Sequence, residues 1–166
     1  MQAKPDHCPL HPYGDCGLVR HGYYPRKIPN YCFIARYLCP LAKVTIGLIP
    51  DFFCSRFPGT LDEVEEAVNV ANNCASQEEA AEKLRSEITL TSALRWLRRR
   101  IKYVKDTLTI VTGLFQLECY PSLENFRCHF ASRKILVTLR GAAVHFLQSL
   151  PPVVGFGHRL KKRYPT

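Results

Sequence analysis

The sequence predicts a mainly α chain preceded by a small β-rich domain, and three observations carry that prediction. Five of the eight cysteines fall in the first 60 residues, together with eight of the twelve prolines and five of the nine glycines. From Leu61 onward, apolar residues recur instead at steps of three and four, the period of a helix. Between these regions, Phe57–Thr60 marks the point where Pro and Gly give way to unbroken helical pattern. The expected division is a β-rich domain over 1–56, a helical region over 60–117, and a C-terminal helical region with a basic tail over 118–166.

The N-terminal segment lacks helical periodicity and cannot build much apolar core, so something must staple it. Cys8-Pro-Leu-His11 is a C-x2-H knuckle, and Cys16 follows five residues later. A turn rich in Pro and Gly lets such side chains converge on one tetrahedral ion, and a thiolate and imidazole set suits zinc. Eight cysteines in an intracellular chain point to metal ligands and buried thiols rather than disulfides. Leu18 to Arg26 is expected as a strand kinked at Gly22, followed by a turn around Pro29-Asn30 and a second strand from Cys32 to Leu38. That strand ends at Cys39-Pro40, which returns a ligand to the first knuckle. Knuckle, hairpin, knuckle is the plan of a zinc ribbon, with Cys8, His11, Cys16 and Cys39 as the Cys3His set. Cys32 or His21 could replace one of them.

Further along, Thr60-Leu-Asp-Glu63 is a capping box, and the acids at 62, 63, 65 and 66 suit the positive end of a helix dipole. Leu61, Val64, Val68, Ala71 and Ala75 form one apolar stripe, so a first helix is expected to about Cys74. Ser76-Gln-Glu-Glu79 is a second capping box, opening a short helix with Ala80, Ala81 and Leu84 inward and ending near Ser86. Thr91-Ser92 is expected to cap a third helix from Ala93 to about Leu117. Leu94, Leu97, Ile101, Val104, Leu108, Val111 and Phe115 make a heptad seam along it. The seam either packs on the C-terminal helix or pairs with another copy or a partner protein. Ser132 to Leu150 is expected as one amphipathic helix stopped by Pro151-Pro152, with Cys119 and Cys128 as buried thiols.

Charge points to a polyanionic partner. Twenty-three Lys+Arg against fourteen Asp+Glu leaves +9, and the charges are segregated. Leu61 to Glu82 holds seven acids and no base, Lys83 to Lys105 eight bases and one acid, and Phe126 to Thr166 eight bases and no acid. Arg95, Arg98, Arg99, Lys102 and Lys105 crowd the third helix and are the candidate contacts to double-stranded DNA. Arg95, Arg99 and Lys102 share a face, Arg98 flanks it, and Arg100 lies nearer the apolar seam. A guanidinium fork binds phosphate or guanine in a bidentate way.

The strings CPLHPYGDCGLVRHGYYPR, ARYLCP and TIGLIPDF resemble the zinc-ribbon head of bacterial insertion-element transposases. In that pattern Cys8 with His11 or Cys16 matches the first knuckle, Val19 and Gly22 the first strand, and Arg36-Tyr37-x-Cys39 the second knuckle. Ala42 stands where the family has a further cysteine, which leaves the fourth ligand open. The stretch S-x-E-E-A-A-x-K-L followed by T-S-A-L-R-W-L-R-R-R resembles a homeodomain-like helix-turn-helix. The resemblance implies Zn2+, duplex DNA as partner, and kinship with mobile elements. Only Glu118 and Glu124 are acidic after Asp106, and there is no P-loop or G-x-S-x-G, so the expectation is a non-catalytic binding protein and not an enzyme. An assembly module of a nucleoprotein complex, or a thiol- or metal-sensing regulator, are the competing readings. The N-terminus has no apolar h-region and no stretch approaches roughly 20 apolar residues, so a cytoplasmic protein without membrane contact is expected.

Overall fold

A computed structural model describes residues 8, 10–11, 16–27 and 32–157. The Pro29-Asn30 turn and the basic tail beyond Gly157, including Arg163, lie outside the described residues. The chain divides into two compact units, Met1–Pro50 and Asp51–Thr166.

The first unit contains an antiparallel sheet of β1 (Val19–Arg26), β2 (Cys32–Cys39) and β3 (Val44–Leu48), in the order β1-β2-β3. The kink expected at Gly22 is a register shift between Arg20 and Tyr23, with Gly22 at φ +88°, a conformation that side chains rarely adopt. Small residues also matter at Gly47, where a Cβ would sit 3.1 Å from the Tyr24 ring. Tyr24 therefore lies across the sheet against Gly47 and Ile34.

The second unit holds five helices: α1 (Leu61–Asn73), α2 (Gln77–Leu84), α3 (Leu90–Phe115), α4 (Leu123–Phe130) and α5 (Ile135–Ala142). Thr60 caps α1 in the expected box, accepting from Glu63 N at 3.1 Å while Glu63 Oε2 accepts from Thr60 N at 2.7 Å. Ser76 caps α2 in the same way, but Glu79 reaches one residue further back, to the amide of Ala75. The third helix begins at Leu90 rather than Ala93. Its N-cap, Thr89, spends its hydroxyl on Ser92 Oγ instead of on a backbone amide, so the Thr91-Ser92 signal lies inside the helix. It ends at Phe115, with Gln116 in the left-handed conformation.

The heptad seam is consumed within the chain. Leu97, Val104, Leu108 and Val111 are buried, and the last three share a core with Leu61, Val64 and Val68 of α1 and Phe126, Ile135, Leu136 and Leu139 of α4 and α5. A smaller cluster of Ala67, Ala80, Ala81, Ala93 and Leu97 joins α1, α2 and α3.

The C-terminal region departs from the single helix expected over Ser132–Leu150. A helix precedes it, α4, capped by Ser122 accepting from Asn125 N. The expected helix shrinks to α5 and a 3-10 turn at Val144–Phe146. Beyond Ala142 the bonds tighten to i+3, Phe146 N donating to Ala143 O and Ser149 N to Phe146 O, and the returning chain closes on that turn with Phe156 N on Leu147 O and Gly157 N on Leu150 O. Gly155 is obligatory in that return, since a Cβ there would stand 2.4 Å from Leu147 O.

Two polar devices fasten this unit. The buried Glu65 carboxylate of α1 accepts from Arg127 of α4 at 2.8 Å and from the Leu136 amide in the first turn of α5 at 3.1 Å. Arg140 on α5 uses all five N–H groups of its fork: Nε on Val154 O, Nη1 on Asp51 O and Phe53 O, Nη2 on Ser55 Oγ and Val153 O, at 2.5–3.1 Å. Replacing Arg140 with Ala should lower the urea unfolding free energy by about 3 kcal/mol, because several carbonyls lose their donors together. Arg140→Lys should restore little of it, since an ammonium has three donors and no planar fork.

Candidate metal centre and basic helix

Cys8, His11, Cys16 and Cys39 come together in the first unit, with their ligand atoms all within 4.8 Å of one another. Three of them precede β1 and the fourth closes β2. The first knuckle is a turn in which His11 N donates to Cys8 O at 2.9 Å, bringing both side chains to one side. Cys39 is fully buried, Cys8 and Cys16 nearly so, and Leu18, Ala42 and Ile46 pack around them. After Cys39 the chain turns through residues 40–43, with Lys43 at φ +52°, and the Ala42 amide points at Cys39 Sγ from 3.4 Å. A backbone N–H aimed at sulfur stabilises a thiolate. The turn of a second knuckle is thus present at Ala42, while the fourth donor comes from His11 in the first.

The spacings fit one tetrahedral ion. Bonds of about 2.3 Å to sulfur and 2.05 Å to nitrogen put a tetrahedral S···N edge at ~3.6 Å. His11 Nδ1 lies 3.7 Å from Cys8 Sγ and 3.3 Å from Cys39 Sγ, on either side of that value. Burial opposes ionisation of Cys8, but hydrogen bonds from His11, the Leu10 backbone and the neighbouring thiols hold it down to about 6. Burial and the sulfurs of Cys8 and Cys39 push Cys16 up to about 11. Among the described residues this is the one group of three or more such side chains placed to hold a metal ion. His21 and Cys32, the considered substitutes, are not in it.

The cations of α3 lie on the second unit. Arg95, Arg98, Arg99, Lys102 and Lys105 are all exposed. Thr91, Leu94, Arg95, Arg98, Arg99 and Lys102 line a shallow groove of about 420 Å³. Lys105 lies apart, in another hollow with Asp106, Ile110 and Pro151. Arg98 is held toward α2 by Gln77 at 3.1 Å and Glu78 at 3.5 Å, and Lys102 by Asp106 at 2.7 Å. The Arg99 guanidinium stands 5.5 Å from the Phe57 ring centroid. Arg100 turns inward, 3.7 Å over Trp96 and 5.0 Å from Phe57, and burial lowers its pKa to about 10. It is a packing cation and not part of the exposed row.

Of the remaining thiols, Cys119 is half-buried against the main core, but Cys128 is exposed, contrary to expectation, because α4 turns Phe126 inward in its place. Sequence reasoning missed Arg140, Glu65 and Arg127, whose partners are distant in the chain and leave no local signature. No family model, curated protein or solved structure matches this chain.

Metal analysis should find about one divalent ion per chain, released by a chelator with collapse of the sheet while the helical signal survives. Cys39→Ser should abolish binding and Cys119→Ser leave it intact. An intact sheet in the fully metal-free chain would defeat the assignment.

Proposed function

We propose that this chain is a non-catalytic DNA-binding protein related to the recognition heads of insertion-element transposases. Its first unit holds one Zn2+ on Cys8, His11, Cys16 and Cys39, and its second docks α3 against duplex DNA. Zinc is favoured over other ions because a closed, buried tetrahedron of three sulfurs and one imidazole nitrogen is its preferred structural environment. Such a centre has no open position for a substrate, so its role is to fold the ribbon.

The single observation that carries the DNA reading is the exposed row Arg95, Arg98, Arg99 and Lys102 around one groove of α3. The opposite side of the helix is buried in the core through Leu97, Val104 and Leu108. A helix anchored along one face and cationic along the other can enter a major groove, its outer cations on phosphates and one or two forks at base edges. Arg95 and Arg99 are assigned to the bases, and Arg98, Lys102 and Lys105 to the backbone. This reading places the protein in the cytoplasm with reduced thiols. No helix among the described residues is long and apolar enough to cross a membrane.

The +9 net charge and the exposed cations of α3 also suit a second reading, an assembly module that binds nucleic acid by charge alone, though the carboxylates beside Arg98 and Lys102 weaken those two cations' pull on phosphate. Selection from randomised duplexes followed by sequencing separates the two. An enriched motif is expected. On that motif, Arg95→Ala or Arg99→Ala should cost about 1–3 kcal/mol and relax base preference locally. Lys105→Ala should weaken all duplexes alike and reduce the salt slope by about one. Equal losses on cognate and scrambled duplexes for all three variants would hand first place to the assembly module.

A further inference from the structure

The groove on α3 holds one residue that a surface for phosphates alone does not need. Thr91, Leu94, Arg95, Arg98, Arg99 and Lys102 line it. By spacing Leu94 belongs to the heptad seam. In the structure it is only half-buried, at the edge of the small cluster that joins α1, α2 and α3, and it also forms part of the groove wall. A leucine among four cations adds nothing to the attraction for phosphate, and leaving it half in water forfeits burial. It gains a use where the partner brings an apolar group of its own. On the major-groove edges of the bases only thymine does so, through its 5-methyl group.

We propose that α3 reads a run of guanine and thymine on one strand of duplex DNA, with Leu94 against a thymine methyl and Arg95 and Arg99 on guanines. The proposal rests on the reading of α3 as the helix that enters the major groove. The lining selects these two bases by what it offers and by what it lacks. Its four cations supply donors, it contains no carboxylate or carboxamide, and only the Thr91 hydroxyl can accept. Guanine presents two acceptors, O6 and N7, and thymine presents O4 beside its methyl. Cytosine and adenine present amino groups, which call for an acceptor of the Asp, Glu, Asn or Gln kind and would meet cations here. Leu94 and Arg95 are consecutive, about 1.5 Å apart along the helix axis, which is less than one base step of about 3.4 Å. The thymine therefore neighbours the guanine taken by Arg95. Arg99 lies about 6 Å further along, so its guanine is one or two steps away. Its guanidinium is braced for that reach, 5.5 Å from the Phe57 ring centroid.

Selection from randomised duplexes supplies the probe, and replacing its bases tests the assignment without altering the protein. Deoxyuridine in place of the thymine removes only the methyl and should weaken binding of the metal-loaded full chain about fourfold. 7-Deazaguanine at the neighbouring guanine removes N7 and should weaken it about fivefold or more. In Leu94→Ala the deoxyuridine effect should vanish and the deazaguanine effect persist; in Arg95→Ala the reverse is expected. Leu94→Met, which keeps an apolar side chain of similar size, should retain the preference for thymine. Circular dichroism identifies any variant that has not folded, and the base replacements on the parent chain decide the matter without it. The proposal is overturned if the parent binds the deoxyuridine duplex as tightly as the thymine duplex. It is equally overturned if the enriched strand sets adenine or cytosine, and not thymine, beside the guanines. Either result leaves α3 as the DNA-contacting helix, whereas failure to enrich any motif overturns both readings.

Discussion

The second unit depends on one guanidinium. Arg140 takes the carbonyls of Asp51 and Phe53 from the start of the unit and those of Val153 and Val154 from its end, and holds both to α5. Around it, Ser55 and Arg56 pair through their amides with Val153 O and Pro152 O. These residues form no helix or sheet of their own, so their buried carbonyls need donors from elsewhere, and a fork of five N–H groups meets that need at one point. The effect propagates outward. With residues 51–55 held, Cys54 N reaches Gly59 O and Leu61 N reaches Phe52 O, which sets Thr60 where it caps α1. Glu65 of the same helix then ties α4 and the first turn of α5 to the core.

What was legible in the sequence was what is local. The Thr60–Glu63 box, the Ser76 cap, the stripe of α1 and the seam of α3 all act within a few residues, and each lies where its spacing placed it. The Gly22 kink was visible because one residue type permits that backbone. The hidden parts rest on partners far away in the chain. Ser132–Leu150 carries a fair helical pattern, but it breaks after Ala142 into i+3 turns on which residues 151–157 fold back, and no short window of residues contains that return. Arg140 sat on an amphipathic stretch like any solvated cation. The start of α3 was misplaced because Thr89, Thr91 and Ser92 are all plausible caps, and side-chain pairing decided among them.

At the candidate site the balance was similar. A Cys-x2-His knuckle and a Cys-Pro turn after a β-rich run sufficed to name the four residues that converge, since each knuckle is a local turn and one hairpin joins them. How Ala42 fits was not readable in advance. Its amide serves Cys39 even though its side chain cannot ligate, so the turn forms without a ligand at that position. The row on α3 was legible as charge but not as pairing, because Glu78 and Gln77 reach Arg98 across an interhelical packing that composition does not reveal.

That packing is made of alanine. Only Ala80 and Ala81 of α2 are buried, against Ala67, Ala93 and Leu97. Methyl groups let the helices approach closely but remove little apolar surface from water, at ~0.8 kcal/mol for each buried carbon group. An eight-residue helix has few internal bonds to add to that. In hydrogen exchange the amides of α2 are therefore expected to open before those of α1 and the buried stretch of α3. The groove itself is lined by α3 alone, and α2 touches it only through its hold on Arg98. An opening of α2 would take Gln77 and Glu78 away and release Arg98 to other anions.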